Sequence, residues 1–365
     1  MQLIVNRAAF AEILAIAMPI VLQRSTIPIL SHVRIEAEAD RVSVCANNLE
    51  ASITHACSAD VRAPGAIAMP ANKLFDIAKR AASEFLSIQS TQDGRIEVRS
   101  GGSRYELSCL PADDFPKPFE VATAKGALRM PLGHLVEMLS TIASSIAPND
   151  SRPFCNGAVL EVADHRLHAI GFAGHTFALC RRRMPADTAF PQIIIPHRTV
   201  TELIKVGRGQ SSAVEVATDG HRASFRFGDT TLVSSLIAVP FPDWNRSIPK
   251  DNDDITITLD KSEIVSAVDR ASAVLDSDKR RVGMHVNGQL TLSCIGRDQS
   301  RSEEVVDNID HVGDDIEVGF DAAYVRDAMN VMPGRVTWGF GKRSQSLMVR
   351  PIDDDSVFYI IMSMR

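Results

Sequence analysis

One arrangement recurs three times along the 365-residue chain, and it constrains the fold more than any single motif. Helical patterns open near Asn6, Pro131 and Asp260, and second ones near Pro70, Pro196 and Asp321. The period is about 125 residues, too long for a solenoid repeat, so each pass reads as a complete domain. The first helices carry apolar stripes at i, i+3, i+4 and i+7: Phe10, Ile13, Leu14 and Ala17; then Leu132, Leu135, Val136 and Leu139; then Ile264, Ala267, Val268, Ala271 and Leu275. The second helices repeat the device with Leu74, Ile77, Ala78 and Ala81, with Val200, Leu203 and Ile204, and with Val325, Ala328, Met329 and Met332. Asn6 suits an N-cap, Pro131 a first turn, and Asp260 with Glu263 a capping box.

β-rich runs joined by short polar turns follow every helix, which predicts antiparallel sheets. In the first pass they span 31–37, 42–46 and 51–57, then 85–89, 96–100 and 104–110. The second pass has 158–162, 167–172 and 176–181, then 213–217, 222–227 and 231–239. The third has 283–286, 289–294 and 302–306, then 336–339, 346–350 and 357–362. The expected fold is therefore α+β: three similar domains, each with two helices and antiparallel sheets, at 1–122, 123–251 and 252–365. Pro-rich stretches at 111–118 and 240–244 close the first two passes. The third stops where the others run on. Residues 357–361 are then a closing core strand, and 362–365 a rim free to meet a partner.

Composition excludes several classes. No apolar run approaches a bilayer span, and the N-terminus lacks a basic region followed by a continuous apolar segment. No membrane anchor and no signal peptide are expected, and a cytoplasmic location is. The cysteines Cys45, Cys57, Cys109, Cys155, Cys180 and Cys294 form no C-x-x-C pair, and no H-E-x-x-H occurs, so neither metal nor cofactor is expected. A net charge of -6 argues against bulk attraction to nucleic acid. Yet cations lie off the apolar stripe of each second helix: Lys73, Lys79 and Arg80; Arg198, Lys205 and Arg208; Arg326 and Arg335. Arg24 follows the first helix. One such face is ordinarily a solvated surface. Repeated in three domains, it predicts a basic lining that holds phosphates without reading sequence.

Chemistry is sparse. Gly339-Phe-Gly341-Lys342-Arg343 reads as a hairpin turn, Asp353-Asp354-Asp355 as an exposed turn, and Asp219-Gly220-His221-Arg222 as a turn between strands. An enzymatic alternative would be a hydrolase using His175 with Asp150.

Five strings, in order, carry a resemblance: Arg24-Ser-Thr-Ile-Pro-Ile-Leu30, Leu110-Pro-Ala-Asp-Asp-Phe-Pro116, Asn156-Gly157, the F-P-D-W-x-R-x-I-P of residues 241–249, and the M-S-M-R ending. Together they resemble the bacterial DNA polymerase III beta subunit, the sliding clamp, over essentially the whole chain. The resemblance implies the DNA clamp fold and a closed head-to-tail homodimeric ring. Helices would line its hole, encircling duplex DNA without sequence preference. The implied role is a non-enzymatic processivity factor. Its partners would be the DNA polymerase III alpha subunit, the clamp loader and other proteins carrying clamp-binding peptides.

The resemblance also implies a peptide cleft between the second and third domains. Carried over by position, it includes Arg152, Phe154 and Cys155, then Phe172, Gly174, His175, Thr176 and Phe177, then Pro242, Arg246 and Ser247. Tyr324, Ser346, Ile360, Met362, Ser363 and Met364 complete it. DNA-facing residues would be Arg24, Lys73, Lys79, Arg80, Arg198, Lys205 and Arg208. A first-domain edge with Arg99, Arg104, Tyr105 and Leu107 would meet a third-domain edge with Val274, Leu275, Glu303 and Glu304. The family's T-D-G-H-R-L is here Phe172-Ala-Gly-His-Thr-Phe177, with Ala173 and Thr176 replacing Asp and Arg, and Cys155 and Ser363 stand where Leu and Pro are usual. The departures bear on partner preference. A divergent paralogue with altered partners, or a monomeric peptide-binding scaffold, are the alternatives.

Overall fold

The computed structural model describes residues 1–365 other than 92–93, 251–253, 277, 279, 342–345, 353 and 365. Lys342, Arg343, Asp353 and Arg365 of the strings above lie outside the described residues. Among those described, the α-helices are α1 (Arg7–Ala17), α2 (Ala71–Arg80), α3 (Leu132–Ile142), α4 (His197–Gly207), α5 (Lys261–Ala271) and α6 (Ala322–Val331). Their stripes are buried as the spacing predicts, with Ile77, Val136, Ile204 and Leu275 only half-buried.

Each helix is also entered from a strand that the periodicity did not suggest. These strands are Gln2–Asn6, Gly65–Pro70, Gly126–Pro131, Ile193–Pro196, Ile255–Asp260 and Ile316–Asp321. The repeating unit is thus strand, helix and three strands, and it occurs six times, twice per domain. The strand ends where a residue can start a helix. Asn6 Oδ1 accepts from the Ala8 and Ala9 N–H groups at 3.0 and 3.1 Å. Asp260 and Asp321 accept from the N–H groups of Ser262 and Ala323, each at 2.8 Å. Pro70, Pro131 and Pro196 cannot donate to a sheet ladder, so pairing stops there.

The chain packs as two compact units: Met1–Val136 with Ala189–Pro191 and Thr201–Leu236, and Glu137–Thr188 with Gln192–Val200 and Ile237–Arg365. The first unit holds a branched antiparallel sheet that continues through two domains. Strand Thr230–Ser235 pairs with Ala51–Ala63 in the register Leu232↔Ile53. The latter is 13 residues long because its other half pairs with Gln2–Asn6. In the second unit, Thr176–Arg183 pairs with Val357–Met362 in the register Phe177↔Ile360 and Leu179↔Phe358. The closing strand is therefore flanked on both sides, by Ser346–Pro351 as well. Strands Ser103–Ser108 and Arg301–Val306 each end the order of their own sheet.

The Asp219–Arg222 string is a turn, as read. Asp219 Oδ1 accepts from the His221 and Arg222 N–H groups at 2.9 and 2.8 Å, and Gly220 takes a φ of +90°. The Arg222 guanidinium lies 4.4 Å from the Phe119 ring centroid.

Candidate functional site

Alternation along paired strands puts residues i and i+2 on one face. On the nine-stranded sheet of the second unit, one face gathers Val159, Ile170, Phe177, Leu179, Met348, Phe358 and Ile360 as a buried cluster. Phe154, Phe172, Ile237, Val239, Phe241, Trp244 and Ile248 pack against it from above. Phe154 stacks on Phe172 at 6.2 Å and meets Phe241 edge-on at 5.8 Å. Phe177 stacks between Trp244 at 6.3 Å and Phe358 at 6.0 Å. Offset and edge-on aromatic contacts add roughly 0.5–1.5 kcal/mol per pair beyond burial, which gives this face a fixed shape.

The residues named from sequence are divided among several places. Phe154, Phe172, Phe177 and Ile360 are in the aromatic face itself. Ser346 and Met362 share that face through the registers Ser346↔Met362 and Met348↔Ile360. Pro242, Arg246 and Ser247 are exposed on the segment that covers it, where Asp243 caps a short turn and accepts from Arg246 Nε at 3.2 Å.

Arg152, Gly174 and His175 form an outer rim. Arg152 Nε and Nη2 donate to the two oxygens of Asp150 at 2.9 and 2.8 Å, and its guanidinium lies 5.5 Å from the Phe172 centroid. The Arg152 hydrogen bonds, with that residue's own N–H, hold the Asp150 carboxyl down to about 2. Gly174 has a φ of +76°, and a Cβ there would stand 2.5 Å from Arg152 Nη2. The carboxylate that a hydrolase would need beside His175 is thus committed to Arg152.

Three residues sit apart from the aromatic face. Thr176 pairs with Ile361, so alternation turns it to the opposite face, and it is buried there. Cys155 is completely buried, and desolvation raises its thiol pKa. Tyr324 is half-buried on α6, which packs on the strand Val357–Met362.

The terminal residues are tied down by backbone and open at their side chains. Met362 N–H donates to the His175 carbonyl at 2.9 Å, and Met364 N–H to the Gly319 carbonyl at 2.7 Å. The two methionines remain 54% and 38% exposed, enough for both to touch a ligand.

Residues missed from sequence lie on the same face. Glu161 stands opposite His168 in the strand register. Its Oε1 accepts from Trp244 Nε1 at 2.7 Å and its Oε2 from Gln192 Nε2 at 2.6 Å. A glutamate alternating with buried Val159 was the available signal.

Away from this face, Lys73, Lys79 and Arg80 are exposed on α2, and Lys205 on α4, with Arg24 and Arg208 exposed in loops. Arg198 is half-buried on α4. Arg80 approaches Asp76 at 3.5 Å and Lys205 approaches Glu202 at 3.6 Å. The third domain departs from the expected repeat of free cations. Arg326 is paired with Asp269 at 2.7 Å and Arg335 with Asp310 at 2.9 Å, so neither presents an unopposed charge.

On the first unit's end strand, Arg104 is paired with Glu97 and Glu106, and Arg99 on the neighbouring strand also reaches Glu97. Tyr105 is half-buried and Leu107 buried. In the second unit Glu304 holds Arg270 at 2.9 Å, while Glu303 is exposed on the end strand and Val274 and Leu275 follow α5.

No helix among the described residues is long and apolar enough to cross a membrane. Among the same residues no group of three His, Cys, Asp or Glu is placed to hold a metal ion.

Three family models match the chain in order. They are the DNA polymerase III beta subunit N-terminal domain over 1–118, its central domain over 130–243 and its C-terminal domain over 245–365. The Beta sliding clamp of Caulobacter vibrioides is 31% identical, with 100% of each chain covered. The crystal structure of DNA polymerase III subunit beta from Pseudomonas aeruginosa matches at a TM-score of 0.94 and 27% identity, with 100% of each chain covered. A sliding clamp from the same organism, bound to griselimycin, matches at 0.94 and 27% over 100% of this chain and 99% of that one.

Proposed function

The chain belongs to the DNA polymerase III beta subunit family, the beta sliding clamps, and on that premise we propose how its surfaces do a clamp's work. It is a non-catalytic processivity factor. The aromatic face of the second unit is the tether. It takes short peptides carried by the DNA polymerase III alpha subunit, the clamp loader and other clamp-binding proteins. The observation that carries this assignment is the gathering of Phe172, Phe177, Ile360 and Met362 on one face of the sheet, beside the 237–248 segment packed on its buried cluster. An apolar groove with a polar rim suits a peptide with aliphatic and aromatic anchors, and exposed Met362 and Met364 adapt to several.

Two copies join head to tail into a ring. The end strands Ser103–Ser108 and Arg301–Val306 have pairing capacity left on one side, and strand addition across a heterologous contact closes a ring when the rotation allows. The domains run 1–122, 123–251 and 252–365. Duplex DNA passes through the ring in the cytoplasm. Lys73, Lys79, Arg24 and Arg208 are exposed with no carboxylate within 4.0 Å among the described residues, so they remain available to phosphates. Loose phosphate contact permits sliding, because sequence is never read.

Retention on DNA tests the ring. After loading, the protein is expected to stay on circular duplex and to leave linear duplex from its ends. Equal loss from both would refute topological binding. A solution mass of one chain would refute the dimer.

A further inference from the structure

The wall of the groove needs something to hold it. Residues 237–248 form no strand with the sheet they cover. The segment is fixed at its start, where Ile237 N–H donates to the Ile194 carbonyl at 3.0 Å. Phe241 rests edge-on against Phe154. The hydrogen bonds of Asp243 with Asn245 and Arg246 stay inside the turn and attach it to nothing. Among the described residues, the side-chain hydrogen bond from this segment to the sheet is Trp244 Nε1 to Glu161 Oε1.

That bond is well placed. The Glu161 side chain is only 15% exposed, so its partners stand in for most of its water. Trp244 takes one oxygen and Gln192 the other. His168, across the strand pair, stands 3.7 Å away and meets the indole edge-on at 5.4 Å. The indole in turn stacks on Phe177, a residue of the groove. Moving Trp244 would shift both Phe177 and the wall residues Pro242, Arg246 and Ser247.

We propose that Glu161 and Trp244 are positioning residues for peptide binding: the carboxylate anchors the indole, and the indole holds the 237–248 wall at the spacing from the sheet that admits a peptide. This rests on the aromatic face being the peptide groove. Neither residue need touch the peptide's anchors, and the pair acts as one device.

The test titrates a fluorescein-labelled hexapeptide with one leucine and one phenylalanine anchor into the full chain. Loss of a charge-assisted hydrogen bond to the wall is expected to weaken binding by about tenfold in Glu161→Ala. Glu161→Gln keeps an acceptor for the indole and is expected within about threefold of the original chain. Trp244→Phe removes the N–H donor and keeps a ring, so its loss should match that of Glu161→Ala. The double variant should be no weaker than either single one, because residues in one network are non-additive. Tryptophan emission adds a readout of the wall: Trp338 is fully buried, so a red shift in Glu161→Ala reports Trp244.

Equal affinity of the original chain and Glu161→Ala overturns the proposal and leaves the groove standing. Additive losses in the double variant overturn it as well. No binding by the original chain removes the groove assignment itself, a failure visible without any variant. Should Glu161→Ala fail to fold, the Glu161→Gln and Trp244→Phe pair decides, with equal affinities overturning the proposal.

Discussion

Two carboxylates hold the two sides of the aromatic face proposed as the peptide groove, and they do so through different partners. Asp150, itself half-buried, grips the more exposed Arg152, whose guanidinium lies over Phe172. Glu161 grips the Trp244 indole in a half-buried setting, among His168, Gln192 and Phe177. The outer pair is a charged clasp whose arginine end is open to solvent, where water and salt compete with it. The inner pair is built into packing and moves only if rings move. On the proposed reading, a groove with one soft rim and one firm wall admits a peptide without losing its shape.

The largest expected effect removes the firm side. Trp244→Ala deletes a ring that packs on Phe177 and on the cluster beneath it. Fully buried aromatics cost about 3–5 kcal/mol when truncated to alanine, and a partly buried one should cost roughly 2–3 kcal/mol. Urea denaturation followed by circular dichroism would measure it. Arg152→Ala should leave the same transition where it was. Equal shifts in the two variants would erase the distinction between wall and rim.

A smaller effect comes from the rim's backbone. Gly174 is in the left-handed region, and an alanine Cβ would collide with Arg152 Nη2. Gly174→Ala is expected to cost about 1 kcal/mol from the backbone alone. It should also push Arg152 off Phe172, since the far end of an arginine yields more easily than backbone. A crystal structure of the variant with Arg152 still over Phe172 would show that the glycine serves some other purpose.

Much of this architecture was legible because it is local. Asn6, Asp260 and the stripe Phe10, Ile13, Leu14 and Ala17 need only near neighbours to be read. The leading strands escaped because they are four to six residues long, and Ile193–Pro196 reads equally well as an approach to a helix. Pairings such as Thr230↔His55 and Phe177↔Ile360 join residues far apart in sequence, and alternation within one strand cannot name its partner. Resemblance named Phe172, Phe177, Ile360 and Met362, and the strand registers put these four on one face. Thr176 was named with them, and register, which sets the face of a strand, turns it to the opposite side. The cations of the third domain were overcounted because Asp269, which neutralises Arg326, lies on α5, 57 residues earlier.

Acid titration should sharpen the same contrast with the least disturbance to the fold. Both carboxylates are depressed, Asp150 chiefly by its Arg152 hydrogen bonds and Glu161 chiefly by His168, then by Gln192 and Trp244. A carboxylate held below its unfolded value contributes fully above that unfolded value and is lost as pH falls through the folded one. Neither side should therefore loosen until pH drops below the ordinary carboxylate range of about 3.9–4.3. Carbon-detected NMR of the side-chain carboxyls should place Asp150 at about 2. Arg152→Ala should return Asp150 toward its ordinary value and leave Glu161 unmoved, while Trp244→Phe should raise Glu161 and leave Asp150 alone. Movement of both groups in either variant would mean that rim and wall are one coupled network, and that the groove has no independently soft side.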